Sequence, residues 1–138
     1  MLSRVIIIDD DIDTVEIFRD YLEMKDVEVI DTGNNGKTAV ELFLKHKPDV
    51  VLLDVMMPEH DGYFGLENIL KKDNDAKVIM VTADKTKETR EKLIKLKASA
   101  ILYKPYEIKT VLETIEKVKN GNTVLNNIIV KEKYAPLC

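Results

Sequence analysis

Five short apolar runs punctuate the chain, and most stop at a polar residue. They are Val5–Ile8, Val27–Asp31, Val50–Leu53, Val78–Thr82 and Ala100–Tyr103. Their length and β-branched content predict strands. Three of them lack polar alternation, the pattern of strands covered on both faces. Helical spacing fills the intervals. Val15, Phe18 and Leu22 share one face of a first helix, and Ile17, Tyr21 and Met24 broaden it. Ala39, Val40, Phe43 and Leu44 mark a second helix, and Leu66, Ile69 and Leu70 a third. Leu93, Ile94 and Leu96 sit in a basic fourth; Ile108, Val111, Leu112, Ile115 and Val118 give the most regular, the fifth. Strict alternation of strand and helix predicts a doubly wound α/β fold, a parallel sheet with helices on both faces.

Gly121 and Asn122 stop the fifth helix. Residues 1–120 therefore form one expected domain, and 121–138 an extension whose secondary structure the pattern leaves open. That extension carries Val124, Leu125, Ile128, Ile129, Val130 and Tyr134, too apolar for a plain linker.

The polar residues that end the runs carry the chemistry. Asp54 closes Val50–Leu53, and Asp9, Asp10 and Asp11 close Val5–Ile8. Open α/β sheets place ligands at the carboxyl ends of their strands. If the first and third strands are neighbours, Asp9, Asp10 and Asp54 meet there. Two like charges about 4 Å apart repel by roughly 4 kcal/mol at an effective dielectric near 20, so three acids call for a cation or a shifted pKa. Hard oxygen donors with no cysteine nearby favour Mg²⁺, or Mn²⁺, over zinc. Thr82 and Lys104 end two further runs at the same edge. A hydroxyl and an ammonium beside metal-bound carboxylates suit a phosphoryl group.

Composition narrows the class. At 138 residues the chain has room for a single core, and 45% hydrophobic with 33% charged residues is ordinary for a globular protein. A net charge of −4 argues against direct nucleic-acid binding, which needs a basic face. One cysteine, Cys138, excludes an intrachain disulfide and fits a reducing compartment. No apolar stretch approaches the roughly 18 residues of a membrane span. The expectation is a cytoplasmic protein with no membrane partner.

Asp9-Asp10, Asp54, Thr82-Ala83 and Lys104-Pro105, each at a strand end, resemble the receiver domain of two-component response regulators. The Met57-Pro58-x-x-Asp61-Gly62 turn adds to the likeness, which extends from residue 4 to about 119. The resemblance implies a flavodoxin-like five-stranded sheet of order 2-1-3-4-5. It implies that Asp54 accepts a phosphoryl group from a sensor histidine kinase or phosphotransfer protein, so the chain modifies itself rather than turning over a substrate. It further implies that Asp10 binds Mg²⁺ directly, Asp9 acts mostly through water, and the Met56 carbonyl completes the ligands. Thr82 and Lys104 would contact phosphoryl oxygens, with a cis Lys104-Pro105 peptide. Asp11 is then a helix-leading acid. The flank formed by the fourth helix, the last strand and the fifth helix would carry a phosphorylation-dependent homodimer. Its basic set is Lys85, Lys87, Arg90, Lys92, Lys95 and Lys97, and its acidic set Glu107, Glu113 and Glu116.

The pattern departs in one place. Receivers commonly carry an aromatic three residues before the lysine, where Ile101 stands here. The tail also looks too short for an output module, which implies a stand-alone receiver or a piece of a longer regulator.

Other motifs compete. Gly33-Asn34-Asn35-Gly36-Lys37-Thr38 imitates a phosphate-cradling loop but has two residues between its glycines instead of four; a turn with Asn35 or Asn34 capping the second helix is expected. Asp9-x-Asp11-x-Asp13 starts like a calcium loop, yet Thr14 and Asp20 stand where that loop needs glycine and glutamate. Asp11-Ile12-Asp13-Thr14-Val15 resembles the nucleophile motif of haloacid-dehalogenase-type phosphatases, an alternative that leaves Asp54 unexplained. A degenerate receiver serving only as an interaction module is the non-catalytic alternative. His46, near the end of the second helix, and His60, in the turn after Asp54, are expected at the surface.

Overall fold

The computed structural model describes residues 2–125. In chain order the elements are β1 (Ser3–Ile8), α1 (Ile12–Met24), β2 (Val27–Gly33), α2 (Gly36–His46), β3 (Val50–Asp54), α3 (Gly62–Lys72), β4 (Val78–Thr82), α4 (Lys87–Lys95), β5 (Ala100–Tyr103) and α5 (Ile108–Lys119). The strands form one sheet in the order β2-β1-β3-β4-β5, all neighbours parallel. This is the flavodoxin-like order expected. The extra length of β2 carries it past Asp31 to Gly33, and the β1–β2 register slips between Val5 and Ile6.

Alternation along the buried strands divides the core in two. Val5, Ile7, Leu52, Ile79, Val81 and Leu102 meet Val15, Phe18 and Leu22 of α1 and Val111, Ile115 and Val118 of α5. Ile6, Ile8, Val51, Leu53, Met80 and Ile101 meet Ala39 and Phe43 of α2, Leu66 and Ile69 of α3, and Leu93 of α4. Five buried side chains in each of β1, β3 and β4, directed to both faces, account for the uninterrupted apolar runs.

Four helix starts are fixed by side chains that accept an otherwise unpaired amide. Asp11 caps α1 through the Thr14 amide, Asn35 caps α2 through Thr38, Asp61 caps α3 through Phe64, and Thr86 caps α4 through Thr89. Asn35 is thus the cap of the two asparagines considered.

The apolar face of α1 is narrower than its pattern suggests. Ile17, Tyr21 and Met24 are 57%, 53% and 74% exposed, while Val15, Phe18 and Leu22 are buried. At about 100° per residue, the two triplets point roughly 120° apart round the helix, so only one can face the sheet.

Beyond α5, Val124 lies along the outer edge of β5. Its amide donates to the Ser99 carbonyl at 2.9 Å and its carbonyl accepts from the Ile101 amide at 3.4 Å, a single parallel bridge to Ala100. Ile128, Ile129, Val130, Tyr134 and Cys138 lie outside the described residues. Among the described residues no helix is long and apolar enough to cross a membrane.

Candidate functional site

Strand register assembles the site. Ile8 pairs with Leu53, so the next residues along, Asp9 and Asp54, come side by side. Asp54 pairs with Val81, and Thr82 with Tyr103, which brings Thr82 and Lys104 to the same edge. The Lys104 amide donates to the Thr82 carbonyl at 2.9 Å, tying the last two positions together. The Lys104–Pro105 peptide is cis.

The side chains converge accordingly. Carboxylate oxygens of Asp9, Asp10 and Asp54 all lie within 4.8 Å of one another. Lys104 Nζ sits 3.3 Å from Asp54 Oδ1 and 3.4 Å from Asp9 Oδ2. Asp9 and Asp54 are buried, at 8% and 6% exposure, whereas Asp10 is exposed. Asp9 Oδ1 also accepts the Asp11 amide at 3.0 Å, which fixes the turn between β1 and α1. Thr82, 1% exposed, accepts the Asp84 amide at its Oγ, at 3.0 Å.

The turn after β3 is pinned from below. The Val55 amide donates to Val81 and the Gly62 amide to the Val55 carbonyl, at 3.0 and 2.9 Å. A Cβ on Gly62 would collide with the Asp54 carbonyl, so this position needs glycine for close approach. Met56, two residues past Asp54, is 69% exposed.

Electrostatics follow from this crowding. Burial and then the neighbouring Asp9 charge push the Asp54 carboxyl up to about 6, against the pull of Lys104. Burial works to lower the Lys104 ammonium, but Asp54 and Asp9 outweigh it and raise it above the ordinary lysine range. Three converging carboxylate groups with hard oxygens, one of them exposed, fit a hydrated divalent cation of the Mg²⁺ type.

Two other acids are committed elsewhere. Asp11 accepts the Thr14 amide, the bond that chiefly holds its carboxyl below the usual range. It is the α1 cap, so the phosphatase alternative loses its nucleophile to a structural bond. Neither histidine enters the site's carboxylate group. His46 is not freely solvated, as the helix-end position suggested: its Nε2 lies 2.9 Å from Asp31 Oδ2, and its backbone carbonyl accepts from Arg4. His60 packs its ring on Phe64, centroids 4.5 Å apart.

Tyr106 is a neighbour that sequence reasoning missed. Its ring lies 5.1 Å from that of Phe18, centroid to centroid, in an apolar cleft of about 480 Å³ that Ile17, Tyr21 and Ile108 also line. Burial raises its phenol above the ordinary range. Lys92, assigned by sequence to the basic flank, places its ammonium 3.8 Å over the Tyr63 ring.

Residues 5–116 match the family model of the response regulator receiver domain. The chain is 34% identical over 120 residues to the chemotaxis protein CheY of Bacillus subtilis (strain 168), covering 87% of this chain and 100% of that protein. It is 34% identical over 117 residues to the probable C4-dicarboxylate response regulator DctR of the same organism, 84% of this chain but 52% of the relative, about half its length. Among solved structures, CheY in the CheX–CheY–BeF3–Mg complex of Borrelia burgdorferi aligns with a TM-score of 0.79 at 30% identity, covering 84% of this chain and 88% of that one.

Proposed function

This chain belongs to the response regulator receiver family, and from that premise we propose that Asp54 is its phosphoacceptor, working with Mg²⁺ in a phosphorelay. The observation that carries the proposal is the meeting of Asp9, Asp10 and Asp54 with the Lys104 ammonium at one sheet edge. An Asp54 oxygen forms the new P–O bond as the donor's P–N bond breaks, and the imidazole leaves with its electron pair. Lys104, already beside Asp54 Oδ1, offsets charge gathering on the phosphoryl oxygens. Thr82 Oγ–H, on the next strand, is the hydroxyl donor to the same group.

Asp10, Asp9, Asp54 and the Met56 carbonyl are the residues that would hold the metal. When bound, it supplies positive charge to an otherwise overcrowded acidic pocket. Residues 1–120 are the receiver and 121–138 an extension that begins along the β5 edge. The donor is a sensor histidine kinase or a phosphotransfer protein. The chain modifies itself once per cycle and does not turn over an external ester. A homodimer through the α4–β5–α5 flank is the proposed output, and Lys92 of its basic set lies over the Tyr63 ring.

Intact-mass measurement after incubation with acetyl phosphate and Mg²⁺ tests the acceptor. One phosphoryl group on the parent is expected, and none on Asp54→Asn or after EDTA. Normal labelling of Asp54→Asn would falsify the assignment. Sedimentation with and without beryllofluoride tests the dimer, and a protein that stays monomeric in both cases removes it.

A further inference from the structure

The chain leaves α5 along a fixed course. Gly121, at φ +92°, ends the helix: its amide donates to the Val118 carbonyl at 3.0 Å, and the Asn122 amide donates to the Lys117 carbonyl at 2.9 Å. This pair of bonds around a left-handed glycine turns the chain out of the helix. Val124 then reaches the outer edge of β5, where its amide donates to the Ser99 carbonyl and its carbonyl accepts the Ile101 amide. The bridge is parallel to β5.

From there the chain behaves as a strand. Val124 packs with the core under α1 and α5, and Leu125, the next residue, with the core under α2, α3 and α4. Consecutive side chains on opposite faces of a sheet mark a strand. β5, α5 and Val124 also repeat the strand, helix and parallel strand unit from which the rest of the sheet is built. The next apolar run in the sequence, Ile128-Ile129-Val130, is entirely β-branched and stops at Lys131-Glu132-Lys133.

We infer that the C-terminal extension continues past Leu125 as a sixth strand, parallel to β5 of its own chain, and closes the β5 edge to partners. Parallel bonds recur at every second residue. In the register of the Val124–Ala100 bridge, Asn126 comes next: its amide would donate to the Ile101 carbonyl, and its carbonyl would accept the Tyr103 amide. The Lys104 amide points to Thr82 on β4, so the Tyr103 amide, one residue earlier, points to this outer edge. The Asn127 amide would face away from β5. Alternation puts Ile129 on the face of Leu125 and Tyr103, and Ile128 and Val130 on the other. Asparagine has little strand preference, so the apolar triplet is the anchor. An open edge strand is a template for pairing with another chain, and a tethered tail fills it first. The strand stands apart from the Asp54 reading, whereas its effect on a homodimer rests on the flank proposed above.

Two prolines, each placed in the full chain, test the register. Asn126→Pro removes the amide that reaches Ile101. Asn127→Pro removes an amide that reaches nothing in the sheet, a position where an outer strand tolerates proline. Amide exchange at Tyr103 is read by NMR, with Lys104 as an internal control bonded to β4. Exchange at Tyr103 is expected to be at least about 10-fold faster in Asn126→Pro than in the parent or in Asn127→Pro, with Lys104 unchanged. Equal exchange at Tyr103 in all three proteins, or equal acceleration by both prolines, overturns the sixth strand. Protection that grows with protein concentration assigns the edge to a second copy's tail and overturns pairing within one chain. Sedimentation with beryllofluoride and Mg²⁺ tests the closure: Asn126→Pro should dimerise at least about 5-fold more tightly than Asn127→Pro, since more of it has the edge open. Equal affinities overturn the closure. No dimer in either protein takes down the homodimer reading, and the closure with it, while the exchange contrast still decides the strand.

Discussion

Replacing Asp54 by asparagine should make the metal-free protein more stable, although it removes the residue the site is built around. The carboxyl of Asp54 is pushed from 3.8 up to about 6. That displacement is about 2 pKa units at 1.36 kcal/mol each, so ionised Asp54 costs the fold about 3 kcal/mol. The sign follows from proton binding. Between about pH 4 and pH 6 the folded chain holds a proton that the unfolded chain has lost, so stability falls as pH rises through that window and levels off above it. Asparagine keeps the volume and carries no charge, and Lys104 retains Asp9 at 3.4 Å. Urea unfolding in EDTA at pH 7.5 should place the variant above the parent by up to about 3 kcal/mol at unchanged m-value. At pH 4.5 the gap should shrink to about a third of that. Mg²⁺ should then raise the parent toward the variant, by RT ln(1 + [Mg²⁺]/Kd). A variant less stable than the parent at pH 7.5, or a gap that ignores pH, refutes the reasoning.

Three further changes probe the same pocket. Lys104→Met removes the one cation beside Asp54 among the described residues, so the pH window in which metal-free stability falls should extend above pH 6; an unmoved window counts against the ion pair. Met56 is exposed and offers no hydrogen bond to a water near Asp54, so Met56→Asn should speed loss of the phosphoryl group, by up to about 10²-fold if the amide orients the water fully. Equal or slower decay in the variant removes that argument. Gly62→Ala drives a methyl into the Asp54 carbonyl and the Val55 backbone; denaturant midpoints should fall by the equivalent of about 1–3 kcal/mol, with phosphoryl uptake reduced, and a neutral result would show the turn to be pliant.

The site was legible because strands buried on both faces must stay apolar until they reach water. Asp9, Asp54, Thr82 and Lys104 each mark the place where an apolar run ends, and parallel register then brings those places to one edge. The α1 face was harder. Val15-Phe18-Leu22 and Ile17-Tyr21-Met24 both have helical spacing, and periodicity alone does not say which triplet the sheet covers. Contacts made by long side chains between separate elements left no local trace. His46 on Asp31 and Lys92 over Tyr63 depend on where two elements sit in space. The bonds of Asp84, whose carboxylate accepts the Thr86 amide and the Thr89 hydroxyl, lie between these cases. Asp84, Thr86 and Thr89 have the spacing of a capping network, and only the Thr82 bond shows that it reaches the site.

Burial sets Asp10 apart from Asp9 and Asp54. Three carboxyl groups, Asp9, Asp10 and Asp54, stand against one ammonium, Lys104, a formal excess of two that matches the charge of one divalent cation. An acid exposed to water, as Asp10 is, can hold such an ion while the ion keeps much of its hydration, which Mg²⁺ gives up reluctantly. An acid 6% exposed, as Asp54 is, has little water to lose and is poorly solvated as an anion. A poorly solvated anion is a better nucleophile toward phosphorus than a hydrated one, provided a cation restrains its protonation. Lys104 supplies part of that restraint, and its own raised pKa keeps it charged for the purpose. On the proposed reading, the same burial that weakens the fold at Asp54 suits this carboxylate better than the exposed Asp10 to accept a phosphoryl group.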